Sequence, residues 1–570
     1  MNNALSLLGR ELTLDKKEDC QDKKTILGMR IWLVEIIASV LAFLIILFSY
    51  MLIRPLNQSY NTLDGAFAKG YGFILMAIVL TTFIVMFIKQ KINFKRLVIF
   101  IFLAGFILRL TYMLYTRGEL RQYDTWTPWN DGHYDYALSF YLTGALPTEH
   151  ISPDTIYQFY HPPLNAFIQG MFMHFFKFIN LNAELEKTNE LLFTACQVLA
   201  CFYMYMTSLF FTKTIWRTKL SNGSKLLAIS VVSLYPRLVQ LSGQLNNDAI
   251  SIMFSAIAIY YFWRWYNEEK KWSYHLLTAL FVGLALMSKL SAAGICLGMA
   301  IGYLIELIRS ILCKDGSLPL YELILQYAIF LIIASFIGLW WQLYTHFVYG
   351  LPFNFVFNNL NAALFTGTRQ YVIYNKPESL DYYDAHNGGL IYTSNFVNFF
   401  VRFILPIWPY DFKYRVFCYS FENYNILSFA LRSSVFGEHD YWYSDAQALA
   451  AICVIAVYLA YFSMVISIIY FAIKKKSFDR DGRMALYLLL GLAVMYLYLQ
   501  ITMPYGCSMD FRYIVPSIFP AAYLIGKTND YYKEEMALKN NSFAKNMKLV
   551  QVLSVTSLLV SSYLFYCVAI

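Results

Sequence analysis

Residues 447–476 read QALAAICVIAVYLAYFSMVISIIYFAIKKK. Up to the lysines the stretch carries no charge and exceeds the roughly 20 apolar residues an α-helix needs to cross a bilayer. It reads as a spanning helix over 447–472, with Lys474, Lys475 and Lys476 holding its far end on the basic side of a membrane. By the same ruler, further spans are expected near 29–53, 71–88, 97–115, 190–212, 225–244, 248–265, 274–289, 291–309, 321–347, 484–502, 513–526 and 548–569. Residues 163–178 form one more span or an interfacial helix.

Composition supports this reading. The chain is 58% hydrophobic and 14% charged, against roughly 45–50% and 25% for soluble chains. A single soluble core stops growing near 250–300 residues, so the apolar excess must face lipid. A soluble enzyme, a disordered protein and a collagen-like or repeat array are excluded. The formal charge of +9 would suggest nucleic acid in a soluble chain; here it follows topology, and no nucleic-acid partner is expected. Most of the 45 basic residues fall on one set of segments, including Lys16, Lys89, Lys213, Arg264 and Lys527. Basic segments stay inside, which puts the N-terminus in the cytoplasm. The expected compartment is the plasma membrane, or the endoplasmic reticulum in a eukaryote.

The fold class expected is all-α and polytopic, a bundle of about 13 transmembrane helices. Two large outer loops, about 116–189 and 349–446, are rich in Tyr, Trp, Asn, His and Asp. The organisation divides into a cytoplasmic segment 1–28, a pair of additional helices in 29–96, a main unit over 97–527, and a cytoplasmic linker with a last helix in 528–570. The nine cysteines show no metal-type spacing.

Candidate chemistry lies on the outer face. Asp124 follows the third span without opening a helix, and Asn130-Asp131-Gly132-His133 follows it. A carboxylate there suits a general base for an acceptor hydroxyl, although Asp131 suits equally the N-cap of a helix beginning at His133. Gln158-Phe159-Tyr160-His161-Pro162-Pro163-Leu164 opens an apolar helix, and its prolines fit a first helical turn. His161 is therefore a ligand for a phosphate or metal, or part of a rigid junction. Gln244-Leu245-Asn246-Asn247-Asp248 has the residues of a tight turn. Lys289, between apolar runs, either takes a partner or snorkels. Glu438-His439-Asp440 precedes a span. Asp510-Phe511-Arg512-Tyr513 starts a late helix, where Arg512 either reads a phosphate or pairs with Asp510 at the surface.

The strings at 158–164, 246–248 (Asn-Asn-Asp), 287–291 (Met-Ser-Lys-Leu-Ser), 434–438 (Ser-Val-Phe-Gly-Glu) and 510–514 (Asp-Phe-Arg-Tyr-Ile) occur in one order. In that order the chain resembles GT-C class transferases that use polyprenyl-linked sugars: protein O-mannosyltransferases, lipid A aminoarabinose transferases and a group of bacterial relatives. The likeness runs from about Leu97 to Lys527. It departs where the class often has an Asp-Glu pair, here Asp124 or Asn130-Asp131. It departs again where aminoarabinose transferases have Glu-Lys-Pro-Pro, here Tyr160-His161-Pro162-Pro163.

The resemblance implies a GT-C-type bundle in which Asp124, with Asp131 as rival, takes a proton from the acceptor. His161, Lys289 and Arg512 neutralise the phosphate of a polyprenyl-phosphate-sugar donor. His133, Tyr160, Asn247, Asp248, Glu438 and Asp510 stand nearby on the same face. A divalent metal, if used, would sit among Asp131, His133, Glu438 and His439. The partners implied are the bilayer, the lipid-linked donor and an acceptor glycan, lipid or protein. A glycan ligase or polymerase and a transporter or flippase are the competing readings.

Overall fold

The computed structural model describes residues 25–26, 29–59, 65–118, 122, 124–125, 132–148, 157–180, 188–312, 318–353, 426–437, 447–474, 477–502, 509–539 and 541–566. Apart from a short hairpin pairing Thr25–Ile26 with Met29–Arg30, the described chain is helical. The helices are α1 (Ile31–Ser59), α2 (Ala66–Ile88), α3 (Phe94–Tyr115), α4 (His133–Thr143), α5 (Leu164–Ile179), α6 (Asn189–Thr194), α7 (Gln197–Arg217), α8 (Asn222–Leu234) and α9 (Pro236–Gln240). They continue as α10 (Asp248–Asn267), α11 (Trp272–Ser288), α12 (Ala293–Leu312), α13 (Leu320–Gly338), α14 (Trp340–Tyr349), α15 (Ile426–Phe436), α16 (Gln447–Ile473), α17 (Arg480–Thr502), α18 (Ile518–Lys539) and α19 (Ser542–Leu564).

Ten stretches among the described residues are long and apolar enough to span a membrane. The other three expected spans exist as α10, α11 and α18. Each falls short for a local reason. The end of helix α10 carries Arg264 among Tyr and Trp, α11 stops at Lys289, and the second half of α18 is charged. Large apolar side chains point outward along the bundle, with Phe73, Phe336 and Ile473 about three-quarters exposed. In water such a belt would be a liability; in lipid it is the expected surface. Inside, α12 and α17 cross in backbone contact: a Cβ on Gly491 would stand 2.2 Å from the Gly298 nitrogen. Small residues are what allow helices in a membrane to approach so closely.

What positions the candidate site is a set of interruptions at one end of the bundle. The expected span 225–244 breaks at Tyr235-Pro236, because proline supplies no N–H and clashes with the preceding turn. The expected span 321–347 is likewise two helices, broken at Leu339 (φ −120°, ψ 0°). Between α11 and α12 the chain opens at Lys289 (φ −161°, ψ 131°). A 3-10 turn, Phe511–Ser517, kinks at Ile514 before α18. Freed backbone groups need partners in a dry interior, and glutamines supply them. Gln197 Nε2 donates to Gly243 O at 2.8 Å, Gln122 bridges Gly243 O and Leu245 N at 2.9 Å each, and Gln169 Nε2 donates to Leu245 O at 2.8 Å.

The opposite end carries the basic segments, latched by ion pairs. Lys213 meets Glu35 at 2.8 Å, Arg217 meets Glu268 at 2.7 Å, and Lys527 meets Asp479 at 2.8 Å. Glu306 takes both Lys270 (2.7 Å) and Arg480 (2.8 Å).

Candidate functional site

Helix α4 begins at His133, where the sequence suggested a helix start. Its first turn is closed by Asp135, whose Oδ2 accepts from Gly132 N at 2.9 Å. The segment carrying Asp124 is tied to that turn: His133 N donates to Asp124 O and Tyr134 N to Thr125 O, both at 3.0 Å. Gly132 is required by this approach, since a Cβ would stand 2.5 Å from the Thr125 carbonyl oxygen. Asp124 has φ 50°, a left-handed conformation that side chains other than Gly, Asn and Asp rarely accept. Its carboxylate is 42% exposed and lies 4.0 Å from Arg512 Nη2.

Arg512 arrives from the other end of the sequence. Of its two readings, a surface pair with Asp510 does not hold, because both side chains are buried. Asp510 Oδ1 accepts the backbone N–H of Arg512 at 2.7 Å and the guanidinium of Arg237 at 2.6 Å. The guanidinium of Arg512 donates instead to the Tyr513 hydroxyl at 3.3 Å. The Tyr513 ring also lies 5.1 Å from Lys289 Nζ, so it stands beside two cations.

Lys289 does not snorkel. It is buried and bonded to Asp248 Oδ1 at 2.6 Å. The Asn246–Asp248 turn is what its residue types suggested, with Asn246 Oδ1 accepting from Asp248 N at 3.1 Å. The turn also carries unsatisfied polarity. Both amide atoms of Asn247 and the second carboxylate oxygen of Asp248 are buried without a hydrogen-bond partner among the described residues. Such groups are uncommon enough to call for an explanation.

The two histidines complete the cluster. His133 and His161 stack with ring centroids 5.7 Å apart and 14° between planes, and Tyr160 packs on His161 at 4.1 Å. The Tyr136 hydroxyl donates to His161 O at 3.1 Å, and Trp341 Nε1 to Tyr160 O at 3.2 Å. Loss of water pushes the His133 pKa down to about 4; the carboxylates of Asp124 and Asp248 oppose that shift, and Lys289 and Arg512 add to it. His161 falls well below the ordinary range for the same first reason, with Lys289, His133 and Arg512 adding to it. His161 therefore sits as a neutral imidazole, and Lys289 and Arg512 bring the positive charge.

The structure thus gathers Asp124, His133, Tyr160, His161, Asn247, Asp248, Lys289, Asp510 and Arg512 at one end of the bundle. Asp131, Glu438 and His439 lie outside the described residues. No group of three or more His, Cys, Asp or Glu that could hold a metal occurs among the described residues. Arg237 was missed. Its signal was a charge beside Pro236 inside an apparently continuous span, where an ionisable group is rarely idle.

Residues 160–341 match the family model of dolichyl-phosphate-mannose-protein mannosyltransferases. The match takes in His161, Asp248 and Lys289, and it agrees with the resemblance carried by the strings in that part of the sequence. No curated protein matches the chain. Among solved structures, one similar chain is the Archaeoglobus fulgidus oligosaccharyltransferase in its apo form, at a TM-score of 0.42 and 13% identity. The alignment covers 82% of this chain and 56% of the archaeal one, so the chain spans little more than half the length of that relative.

Proposed function

We propose that the chain is a membrane glycosyltransferase that moves a sugar from a polyprenyl-phosphate donor to an acceptor at the extracytoplasmic face, with inversion at C1. The observation carrying this reading is the convergence at one end of the bundle: a half-exposed carboxylate on Asp124 facing Arg512, beside the buried Lys289–Asp248 pair. The family match over 160–341 supports the reaction class.

In this reading the acceptor hydroxyl approaches Asp124 from solvent. Its oxygen forms a bond to the sugar C1 while the C1–O bond to the phosphate breaks. The hydroxyl proton passes to the Asp124 carboxylate, and the bond pair leaves with the polyprenyl phosphate. Arg512 and Lys289 stabilise the charge that develops on the departing phosphate, which is usually the largest contribution to such catalysis. Neutral His161 contributes a hydrogen bond. A single displacement turns a β-linked donor into an α product.

The test is sugar release by purified protein in nanodiscs from a panel of radiolabelled polyprenyl-phosphate sugars, with wild type and Asp124→Asn side by side. Release by wild type alone supports the reading. Equal release by both moves the base to Asp131. No release from any donor, with lipid binding retained, favours a transporter.

A further inference from the structure

Arg237 and Asp510 form the most deeply buried ion pair among the described residues, both side chains 0% exposed and 2.6 Å apart. Burying two charges is expensive, and such pairs are weak evidence for stability, since apolar replacements are often as good. The partners of this pair suggest a different role. Arg237 directly follows the break at Pro236 and donates also to Gln240 Oε1. Gln240 Nε2 in turn donates to Phe436 O at 2.8 Å, on the last residue of α15. Asp510 Oδ1 accepts the backbone N–H of Arg512 at 2.7 Å, and the residue between them, Phe511, donates its N–H to Ser433 Oγ on α15 at 2.9 Å. Three chain interruptions therefore meet at one ion pair: the broken α8–α9 helix, the end of α15 and the start of the turn that carries Arg512.

We infer that Arg237–Asp510 is a positioning pair that fixes the backbone of Arg512, and hence its guanidinium, against a lipid-linked phosphate. The inference rests on the proposed function only in assigning Arg512 to that phosphate. Neither Arg237 nor Asp510 needs to touch substrate. Asp510 acts through the Arg512 backbone N–H, and Arg237 stops the Asp510 carboxylate from turning away, because the second oxygen, Oδ2, has no partner among the described residues.

The experiment is equilibrium binding of polyprenyl phosphate to full-length protein in nanodiscs, a readout that requires no transfer. The main comparison sets wild type against Arg512→Gln, the charge-balanced double variant Arg237→Gln/Asp510→Asn, and the triple variant. Arg512→Gln is expected to weaken binding roughly tenfold. In the double variant the introduced asparagine still caps the turn but is no longer held by a cation, and binding should weaken by a similar factor. The triple variant should bind no worse than Arg512→Gln, since groups acting through one another are not additive. Gln240→Leu cuts the link to α15 and one acceptor of Arg237 but leaves the Arg237–Asp510 pair in place. It should give a smaller loss that also vanishes in the Arg512→Gln background, and it carries the test if the double variant does not fold. Wild-type affinity in the double variant, or a triple loss equal to the product of the two, overturns the positioning role. Wild-type affinity in Arg512→Gln overturns the phosphate assignment as well, which separates the two failures.

Discussion

The two ends of the bundle are both rich in ion pairs, and they use them differently. At the basic end the carboxylates each hold more than one partner. Glu306 serves Lys270 and Arg480, while Asp479 takes Lys527 and also accepts from Gly482 N at 3.0 Å. At the opposite end the charges sit where helices are broken, and the polar inventory does not balance among the described residues: the Asn247 amide and one oxygen each of Asp248 and Asp510 are buried without partners. Buried amides without partners occur at both ends, Asn267 at the basic one. The two carboxylate oxygens without partners among the described residues, on Asp248 and Asp510, both lie at broken helices. We read that end as the working end and the basic end as a scaffold. The difference is testable, because changes at the scaffold end should move stability alone.

The largest contrast is between Asp124→Asn and Glu306→Gln. Asn accepts the left-handed backbone of position 124 as readily as Asp, so the variant removes the charge without strain. Sugar release is expected to fall on the order of 10²–10⁴-fold, with thermal stability unchanged. Glu306→Gln leaves Lys270 and Arg480 without their shared anion and should lower the melting temperature, while turnover per folded molecule stays near wild type. Equal losses of turnover in the two variants would erase the distinction between the ends.

Next in size is Lys289→Met. It strands a buried carboxylate, and breaking such a pair costs about 3–5 kcal/mol. Lys289→Met/Asp248→Asn should regain most of that stability and none of the activity. Thermal unfolding in detergent and donor turnover, measured together, check both halves.

The spanning helices were legible because a run of apolar residues near 20 long admits few other readings. The interruptions were not, and for a physical reason. Apolar residues continue through Tyr235-Pro236 and through Leu339, so the pattern that announces a span says nothing about where it breaks. Pro236 was the available mark for the first break; Leu339 has none, since the neighbouring Gly338 is helical. The site was legible as residues and not as geometry. Asn246–Asp248 reads as a turn and is one, yet the same side chains face the cluster. Arg512 and Asp510, two residues apart, look like a surface pair, and only the fold shows that Asp510 belongs to Arg237. The histidines illustrate the remaining gap: their positions were evident, but their neutrality depends first on burial and then on Lys289 and Arg512, far away in sequence.

That neutrality gives a pH signature of middling size. The His133 pKa is lowered from 6.5 to about 4 in the fold. The unfolded chain therefore binds the extra proton first as pH drops. Stability is full above about pH 6.5 and declines through the window down to about pH 4. From pH 7 to pH 5 the loss assignable to His133 is about 2 kcal/mol. His133→Gln should remove that part of the acid sensitivity, seen as a smaller drop in melting temperature between the two pH values. An unchanged drop would mean His133 is not held neutral.

The smallest effect is expected at the scaffold end, where Lys527→Met opens the pair with Asp479. Asp479 is one-third exposed, and it keeps its bonds to Gly482 N and to the Tyr523 hydroxyl at 3.4 Å. The carboxylate is thus neither buried nor abandoned, and a pair of this kind contributes about 0–1 kcal/mol. The melting temperature should shift by roughly a degree or two. That shift should shrink further in high salt, because solvent ions screen what water already weakens. Lys289→Met removes the same ammonium group from the same kind of partner and should respond to salt hardly at all, since its partner is out of reach of solvent. If the two lysine variants showed equal losses with equal salt dependence, burial at the broken helices would not be what sets the working end apart.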